Sequence, residues 1–199
     1  MQLVYGITGG TGCGKTTALQ VLETLGFHII DCDALYHTLL ESDVPMLQAI
    51  DAAFPGVFVD GKLQRKVLGE RVFSSPQALD CLNTVVWPFV YRAVEAEILA
   101  HAPQPCAIDA IGLLESGLGS LCHRTIAVTA PTEDRVARLM RREGISEAYA
   151  RLRIQAQKNN DVFAANCGVT IHNDFDSADS FFAHCQSIFQ QLLKEDLPQ

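Results

Sequence analysis

A glycine-rich octapeptide near the start of the chain limits its possible folds more than any other feature. Residues 9–16 read Gly-Gly-Thr-Gly-Cys-Gly-Lys-Thr and satisfy the pattern G-x-x-x-x-G-K-[ST]. The apolar run Leu3–Thr8 before it has strand character, and a helical pattern follows over residues 15–25, with Gly26 as its C-terminal cap. A strand, a glycine-rich turn and a helix in this order predict a phosphate-binding P-loop rather than an incidental glycine-rich turn.

Each part of this motif has a predicted role in binding ATP. Glycines allow the backbone to aim several N–H groups at the phosphates, and the helix adds its positive N-terminal end. Lys15 is expected to reach the β- and γ-phosphates, and the Thr16 hydroxyl is expected to be a ligand of Mg²⁺. The predicted nucleotide-binding residues of the motif are Gly9, Gly10, Thr11, Gly12, Cys13, Gly14, Lys15, Thr16 and Thr17.

Four more short apolar runs have strand character and are separated by helical patterns. They lie at residues 27–30, 106–109, 125–129 and 169–171. Short apolar strands that alternate with helices are typical of a parallel sheet with right-handed crossovers. We therefore predict an α/β fold of the P-loop NTPase type, with a five-stranded parallel sheet flanked by helices.

The connection between the second and third of these strands is too long for a simple crossover. It covers residues 34–104, whereas a crossover needs only about a dozen residues. Helical patterns occur at residues 45–54, 64–73 and 76–101, the last with a predicted break at Pro88. We interpret the segment as a helical substrate-binding insertion beside the C-terminal edge of the sheet, where ligands of α/β folds bind. The alternative is a packing insertion that binds no ligand.

The composition excludes several classes of protein. A hydrophobic fraction of 48% and a charged fraction of 19% are typical of a globular protein, and no apolar run is long enough to span a bilayer. A net charge of −8 disfavours nucleic-acid binding. Seven scattered cysteines without a C-x-x-C pair argue against disulfides and against a zinc site. We expect a cytoplasmic protein with neither a nucleic-acid partner nor a membrane partner.

A P-loop alone does not distinguish a kinase from a nucleotide-dependent switch. Residues 109–112 match D-x-x-G, the spacing of a GTPase switch segment, but no N-K-x-D tetrapeptide that reads guanine is present in the sequence. Asp31 and Asp33 end the second predicted strand, next to the expected phosphate site. A carboxylate there can orient an acceptor hydroxyl or accept its proton. Either aspartate can instead cap the helix that begins near Ala34.

Basic residues are concentrated between residues 135 and 158, which suggests a local anionic ligand. Arg135, Arg138 and Arg142 are spaced i, i+3, i+7 and share one face of a predicted helix. Gly144 ends this helix and Ser146 begins another, so the pattern predicts a helical hairpin. Such a hairpin suits a lid that closes on ATP. The alternative is a solvated arginine face.

These features predict a single P-loop kinase domain over residues 1–199 with three parts. The core comprises about residues 1–33, 105–131 and 159–199. The helical substrate-binding insertion comprises about residues 34–104, and the lid about residues 132–158.

Several stretches together resemble one kinase family. They are Ile7–Thr16, Asp31-Cys32-Asp33, residues 60–65, Leu82-Asn83, the pair Arg138 and Arg142, residues 153–157, and Asn173. Over residues 3–175 the sequence is similar to the dephospho-CoA kinase family. The resemblance implies transfer of the ATP γ-phosphate to the ribose 3′-hydroxyl of dephospho-CoA, the last step of coenzyme A synthesis.

The same resemblance implies roles for individual residues. Asp33 matches the proposed catalytic base, while Lys15 and Arg142 complete the expected catalytic set. Arg138 and Asn173 are expected beside the nucleotide. Asp109 is expected to hold a magnesium-bound water, although an aspartate at a strand end can also cap the next turn.

The chain departs from the family at two places on the expected acceptor side. Trp87-Pro88 stands where the family usually has His-Pro, and Ile111-Gly112 begins a stretch that commonly reads Pro-Leu-Leu-x-Glu. Another P-loop nucleoside or nucleotide kinase therefore remains the main alternative, ahead of a non-enzymatic P-loop switch. We expect a monomer or a weak homo-oligomer.

Overall fold

A computed structural model describes residues 2–196 of the chain. The outermost residues of the predicted core, Met1 and residues 197–199, lie outside the described part. The chain forms two compact units. The larger unit comprises Met1–Asp31 and Ile98–Gln199, and the smaller comprises Cys32–Glu97.

Seven strands occur in the described residues, five of them in the large unit. The strands are β1 Val4–Thr8, β2 His28–Asp31, β3 Phe58–Val59, β4 Lys62–Leu63, β5 Cys106–Asp109, β6 Arg124–Thr129 and β7 Val169–His172. The large unit contains a single sheet in the order β2-β5-β1-β6-β7, and every pairing within it is parallel. The predicted five-stranded parallel sheet is confirmed, and each predicted strand agrees with the observed one to within about one residue at either end.

Nine α-helices are described between residues 2 and 196. They are α1 Lys15–Thr24, α2 Cys32–Ser42, α3 Val44–Ala53, α4 Arg65–Phe73, α5 Pro76–Ala100, α6 Thr132–Glu143, α7 Glu147–Gln155, α8 Asn160–Asn166 and α9 Ala178–Asp196. Of these, α1 and α9 pack against each other in the large unit. Their apolar faces and the inward side of β1 and β6 share one buried core that includes Tyr5, Leu22, Ile126 and Phe189.

The smaller unit has its own core, formed by apolar residues of α2 to α5 that include Met46, Ile50 and Leu68. It also contains a short antiparallel hairpin, β3–β4, which the sequence analysis missed. Asp60 and Gly61 connect its strands with φ values of 50° and 73°. Two residues at positive φ form the tight connection that a two-residue hairpin loop needs.

The predicted break at Pro88 is wrong, because α5 runs without interruption from Pro76 to Ala100. Pro88 lies on the exposed face of the helix. The buried stripe Leu82, Val86, Val90 and Val94 continues on both sides of it. Packing along that stripe outweighs the one intrahelical hydrogen bond that proline cannot donate.

The expected helical hairpin is formed by α6 and α7, within the large unit. Gly144 ends α6 in a left-handed conformation with φ of 66°, and Ser146 caps α7 by accepting a hydrogen bond from the Tyr149 backbone N–H. A small apolar cluster of Val136, Leu139, Ala150 and Ile154 holds the two helices together.

Among residues 2–196, no helix combines the length and the apolar character needed to cross a membrane.

Candidate functional site

The C-terminal ends of three neighbouring strands bring the P-loop and two aspartates to one edge of the sheet. In the register of the strands, Asp109 of β5 lies opposite Asp31 of β2 on one side and opposite Ile7 of β1 on the other. The P-loop leaves β1 two residues after Ile7. Strand order reverses around β1, and ligands of open parallel sheets bind at such a switch point.

Close packing of the loop against the sheet explains its first glycine. Gly9 has a φ of 140°, and a Cβ atom at this position would lie 2.1 Å from the carbonyl oxygen of Val128 on β6. Only glycine fits this approach. At the other end of the loop, Lys15 begins α1, and its Nζ donates a 2.9 Å hydrogen bond to the Gly9 carbonyl. The ammonium group is therefore held across the mouth of the loop.

A cavity of about 610 Å³ opens beside the loop. Its lining combines loop residues, side chains of α6, and the segment between β7 and α9: Gly10, Thr11, Gly12, Gly14, Lys15, Thr16, Thr17, Ile111, Arg138, Arg141, Arg142, Asn173, Phe175, Asp176, Ser177, Ala178 and Phe181. A cavity of this size suits a nucleotide. It brings together most of the predicted nucleotide-binding residues with Arg142.

Three consecutive carbonyl groups of the loop are bound from outside it. Arg135 Nε donates to the Thr11 carbonyl at 2.9 Å, and an Arg138 nitrogen donates to the Gly12 carbonyl at 3.3 Å. Asn173 Nδ2 donates to the Cys13 carbonyl at 2.9 Å. In a trans peptide the N–H of the next residue points away from the carbonyl. Holding these carbonyls therefore orients the N–H groups of Gly12 and Gly14 toward the opposite side, as an anion-binding loop requires. The Cys13 N–H instead donates a 3.3 Å hydrogen bond to the Gly10 carbonyl, inside the loop.

The Asn173 side chain supports the P-loop through a hydrogen bond to its backbone. It is only 4% exposed, and its side-chain oxygen accepts a 3.1 Å hydrogen bond from Arg138 while its nitrogen binds the Cys13 carbonyl. Both ends of the amide are thus occupied within the protein. The predicted place of Asn173 beside the nucleotide stays a prediction, and its contacts show how it can act there without a direct side-chain contact.

Cys13 contributes its backbone rather than its thiol. The side chain is fully buried, and burial raises the pKa of the thiol above its usual value. Arg135 and Lys15 lower it by a smaller amount. A buried thiol with a raised pKa is a poor nucleophile.

Apart from the buried Arg135, the basic cluster divides into two groups. The first group forms ion pairs with acidic side chains. Arg151 pairs with Glu133 and Glu147, Arg153 pairs with Glu143, and Lys158 pairs with Glu115. These three side chains do not line the cavity, and exposed ion pairs contribute little to stability.

The second group, Arg138, Arg141 and Arg142, lines the cavity. The Arg142 side chain is 59% exposed and pairs with Glu143. The hydrogen bond from Arg142 lowers the pKa of the Glu143 carboxyl, and a hydrogen bond from Arg153 adds a smaller effect in the same direction. Arg141 had no predicted site role. Its only sequence signal was membership of the basic cluster.

Three other predicted site residues lie in different surroundings. Thr16 is exposed and lines the cavity, and Asp109 is half-buried at the end of β5. Asp33 belongs to the other unit, where it lies exposed in the first turn of α2. Because α2 begins at Cys32, two residues earlier than expected, the N-cap position falls on Asp31 and not on Asp33.

Gln157 is a residue of this site that the sequence analysis did not single out. Its Oε1 accepts a 2.7 Å hydrogen bond from the Thr11 backbone N–H and a 3.4 Å hydrogen bond from Arg135. Its sequence signal was membership of residues 153–157, one of the stretches that resemble the family, but that signal assigns it no partner. Its contact with the P-loop is visible only in the fold.

Comparisons with known proteins identify the family of this chain. Residues 3–179 match the family described as CoaE, dephospho-CoA kinase. A dephospho-CoA kinase of Dehalococcoides mccartyi is 33% identical over 198 residues, 98% of each chain.

Two solved structures extend the comparison to three dimensions. A crystal structure from Thermus thermophilus superposes with a TM-score of 0.78 at 30% identity, covering 99% of both chains. A shikimate kinase of Bacteroides thetaiotaomicron, at a TM-score of 0.59 and 14% identity over 96% of this chain and 98% of its own, shares the fold. The chain belongs to the dephospho-CoA kinase family and is therefore an ATP-dependent phosphotransferase.

Proposed function

We propose that this chain transfers the γ-phosphoryl group of ATP to the ribose 3′-hydroxyl of dephospho-CoA. The residues that carry out the transfer are those of the cavity beside the P-loop, together with Asp33. The observation that carries the proposal is the P-loop at the sheet edge, with Lys15 across it and arginines of α6 lining the same cavity. Fixed donors and cations around transferring phosphates are what phosphoryl transfer needs.

ATP binds with its phosphates on the loop. The N–H groups of Gly12 and Gly14 and the N-terminus of α1 face the phosphate chain, and the Lys15 ammonium contacts the β- and γ-phosphates. Arg138 and Arg142 extend the positive surface from α6. Charge that develops on the transferred group is thereby met by donors already in place.

The residues at the sheet edge fit Mg²⁺. The Thr16 hydroxyl would be a direct ligand, and the Asp109 carboxylate would hold a metal-bound water, a donor set of hard oxygens that magnesium prefers. A bound Mg²⁺ would supply positive charge that offsets the negative charge of the phosphates.

Asp33 serves as the base. Its carboxylate accepts the proton of the 3′-hydroxyl as a bond forms between that oxygen and the γ-phosphorus. The bond from the γ-phosphorus to the β–γ bridging oxygen breaks, and ADP leaves with the electron pair. The unit Cys32–Glu97, which begins just before Asp33, binds the acceptor in this proposal.

The cysteine pattern and the net charge of the sequence support an expected compartment and expected partners. We place the enzyme in the cytoplasm, because its seven cysteines are scattered along the sequence and form no C-x-x-C pair. A net charge of −8 is consistent with a protein that binds no nucleic acid, and we expect it to act away from membranes as a monomer or weak homo-oligomer.

An acceptor panel tests the proposal. ADP release from Mg-ATP is measured without acceptor and with dephospho-CoA, with nucleosides and with nucleoside monophosphates. We expect strong stimulation by dephospho-CoA alone. A Lys15→Ala preparation purified in the same way should show none, which excludes a contaminating kinase. Stimulation by a nucleoside or its monophosphate but not by dephospho-CoA would move the acceptor to the alternative class.

A further inference from the structure

We infer that Arg135 and Gln157 are positioning residues for phosphoryl transfer, because together they fix the peptide groups on both sides of Thr11 in the P-loop. This Thr11 clamp, formed by Arg135 and Gln157, deepens the proposed function and rests on it. Neither side chain is required to contact ATP.

The contacts of the clamp are complementary. Arg135 Nε donates to the Thr11 carbonyl at 2.9 Å, and Gln157 Oε1 accepts from the Thr11 N–H at 2.7 Å. Arg135 also donates to the same Gln157 oxygen at 3.4 Å, which links the two side chains. Both polar groups of the Thr11 backbone are therefore held from outside the loop, and the residue cannot rotate without losing a hydrogen bond.

The guanidinium group of the clamp is buried, which is energetically unfavourable for a charged side chain. Arg135 is 2% exposed and is the largest of the fully buried side chains. Within residues 2–196, its hydrogen-bond partners are neutral oxygens, and no carboxylate forms an ion pair with it. A buried charge without a counter-ion is unfavourable. Next to a phosphate-binding loop, the same charge favours an anionic ligand.

The loop is shaped to admit this arginine. A Cβ atom on Gly10 would lie 2.4 Å from an Arg135 terminal nitrogen and 3.2 Å from Gln157 Oε1. The bare backbone of Gly10 thus leaves the space that the clamp occupies. This is a second reason for a glycine in the motif, separate from close approach to phosphate.

The clamp also defines which part of the α6–α7 hairpin can move. Arg135 lies in the first turn of α6, and Gln157 lies just beyond the end of α7, so the hairpin is tied to the P-loop at both of its ends. Arg142 and Gly144, at the far end of the hairpin, have no such tie to the loop among the described contacts. A lid movement would therefore bend the tip and leave the base fixed.

Loss of the clamp should affect chemistry more than nucleotide binding. In the proposed function, several loop amides and Lys15 bind the phosphates of ATP. A displaced Thr11 should therefore have little effect on the affinity for ATP in the ground state. Transition-state alignment is less tolerant, and a misplacement of about 1 Å can lower the rate about 100-fold. Interactions that are made fully only in the transition state appear in kcat.

The test uses three variants of the full chain. Gln157→Met keeps the volume of the side chain but removes the acceptor oxygen, while Gln157→Glu keeps an acceptor in place. Gln155→Met is the matched control, because Gln155 lies two residues away and is exposed. Steady-state kcat and KM for ATP are measured with dephospho-CoA well below each melting temperature. Hydrogen exchange at the Thr11 amide is measured in the nucleotide-free protein.

We expect Gln157→Met to lower kcat by about 10- to 100-fold, with a smaller rise in KM for ATP, and to accelerate exchange at Thr11. Gln157→Glu should recover most of kcat, and the control should match wild type. Wild-type kcat in Gln157→Met, or a Gln157→Glu variant as slow as Gln157→Met, would overturn the inference.

The two readouts separate this inference from the proposed function. A wild-type protein that dephospho-CoA does not stimulate contradicts the proposed acceptor. Exchange at Thr11 still decides whether the clamp holds the loop, because that measurement needs no acceptor. Unchanged exchange at Thr11 in Gln157→Met would contradict the clamp itself.

Discussion

At the residue scale, the phosphate site depends on side chains that bind the loop rather than the ligand. Arg135 and Asn173 are polar and almost fully buried. Burying an amide unpaired would cost about 1–3 kcal/mol, and burying a charged guanidinium unpaired would cost more. Hydrogen bonds to carbonyls of the loop offset that cost and orient its amides. The loop sequence therefore needs partners on α6 and after β7 to bind phosphate in a fixed geometry.

Asp33→Asn tests the assignment of the base. The amide retains the shape of the side chain but cannot accept the proton, so we expect kcat to fall by about 10²- to 10⁴-fold while ATP affinity stays near the wild-type value. Asp51→Asn is the matched control, since Asp51 is an exposed aspartate of α3 in the same unit. Turnover is followed as ADP release, and ATP affinity by calorimetry. Near-normal turnover in Asp33→Asn would contradict the assignment of the base and leave Asp33 as an acidic residue that stabilises the first turn of α2.

At the scale of single elements, the α6–α7 hairpin combines a fixed base with an exposed tip. Its apolar cluster and its links to the P-loop hold the base. Near the tip, Arg142 lines the cavity and pairs with Glu143. An exposed ion pair of this kind contributes little to stability and can exchange its carboxylate for a phosphate.

Arg142→Ala should therefore lower turnover with little effect on folding. We expect kcat to fall at least about 10-fold, because one donor to the developing charge is lost, and the melting temperature to stay unchanged. Arg151→Ala provides the comparison, since Arg151 pairs with Glu133 and Glu147 outside the cavity. A kcat for Arg142→Ala equal to that of Arg151→Ala would assign Arg142 to the solvated face.

Helix α9 is anchored at its last residue by a half-buried carboxylate. Asp196 accepts a 2.7 Å hydrogen bond from the Tyr5 hydroxyl and hydrogen bonds of 2.6–2.9 Å from Arg124. The hydrogen bonds from Arg124, followed by that from Tyr5, lower the pKa of the Asp196 carboxyl. The same contacts join β1 and β6 to the C-terminal helix.

The lowered pKa predicts a pH-dependent contribution to stability. Because the native state favours the ionised carboxylate, this contribution is present above the unfolded pKa of about 3.9 and is lost as pH falls through the lower folded pKa. Asp196→Asn should destabilise the protein by about 1–3 kcal/mol at pH 7, with the difference from wild type shrinking below pH 4. Melting temperatures of both proteins between pH 3 and pH 7 measure it. A difference that does not change with pH would contradict the proposed role of the charge.

At the scale of the whole molecule, the parts of the fold that depend on local patterns were predictable. Apolar strands, the P-loop and the cap at Gly144 follow from chemistry within a few residues of each position. The continuous helix through Pro88 was not predictable, because its stability comes from a buried stripe whose partners lie elsewhere in the chain. The hydrogen bond between Gln157 and Thr11 was not predictable for the same reason, because it joins residues 146 positions apart in the sequence.

The identity of the phosphorylated product tests the central claim most directly. Wild-type protein is incubated with Mg-ATP and dephospho-CoA, and the products are analysed by mass spectrometry and phosphorus NMR. We predict that each ADP formed is matched by one molecule of coenzyme A, with the new phosphate on the ribose 3′ oxygen. ADP formation without phosphorylation of dephospho-CoA, or phosphate at another position, would contradict the account.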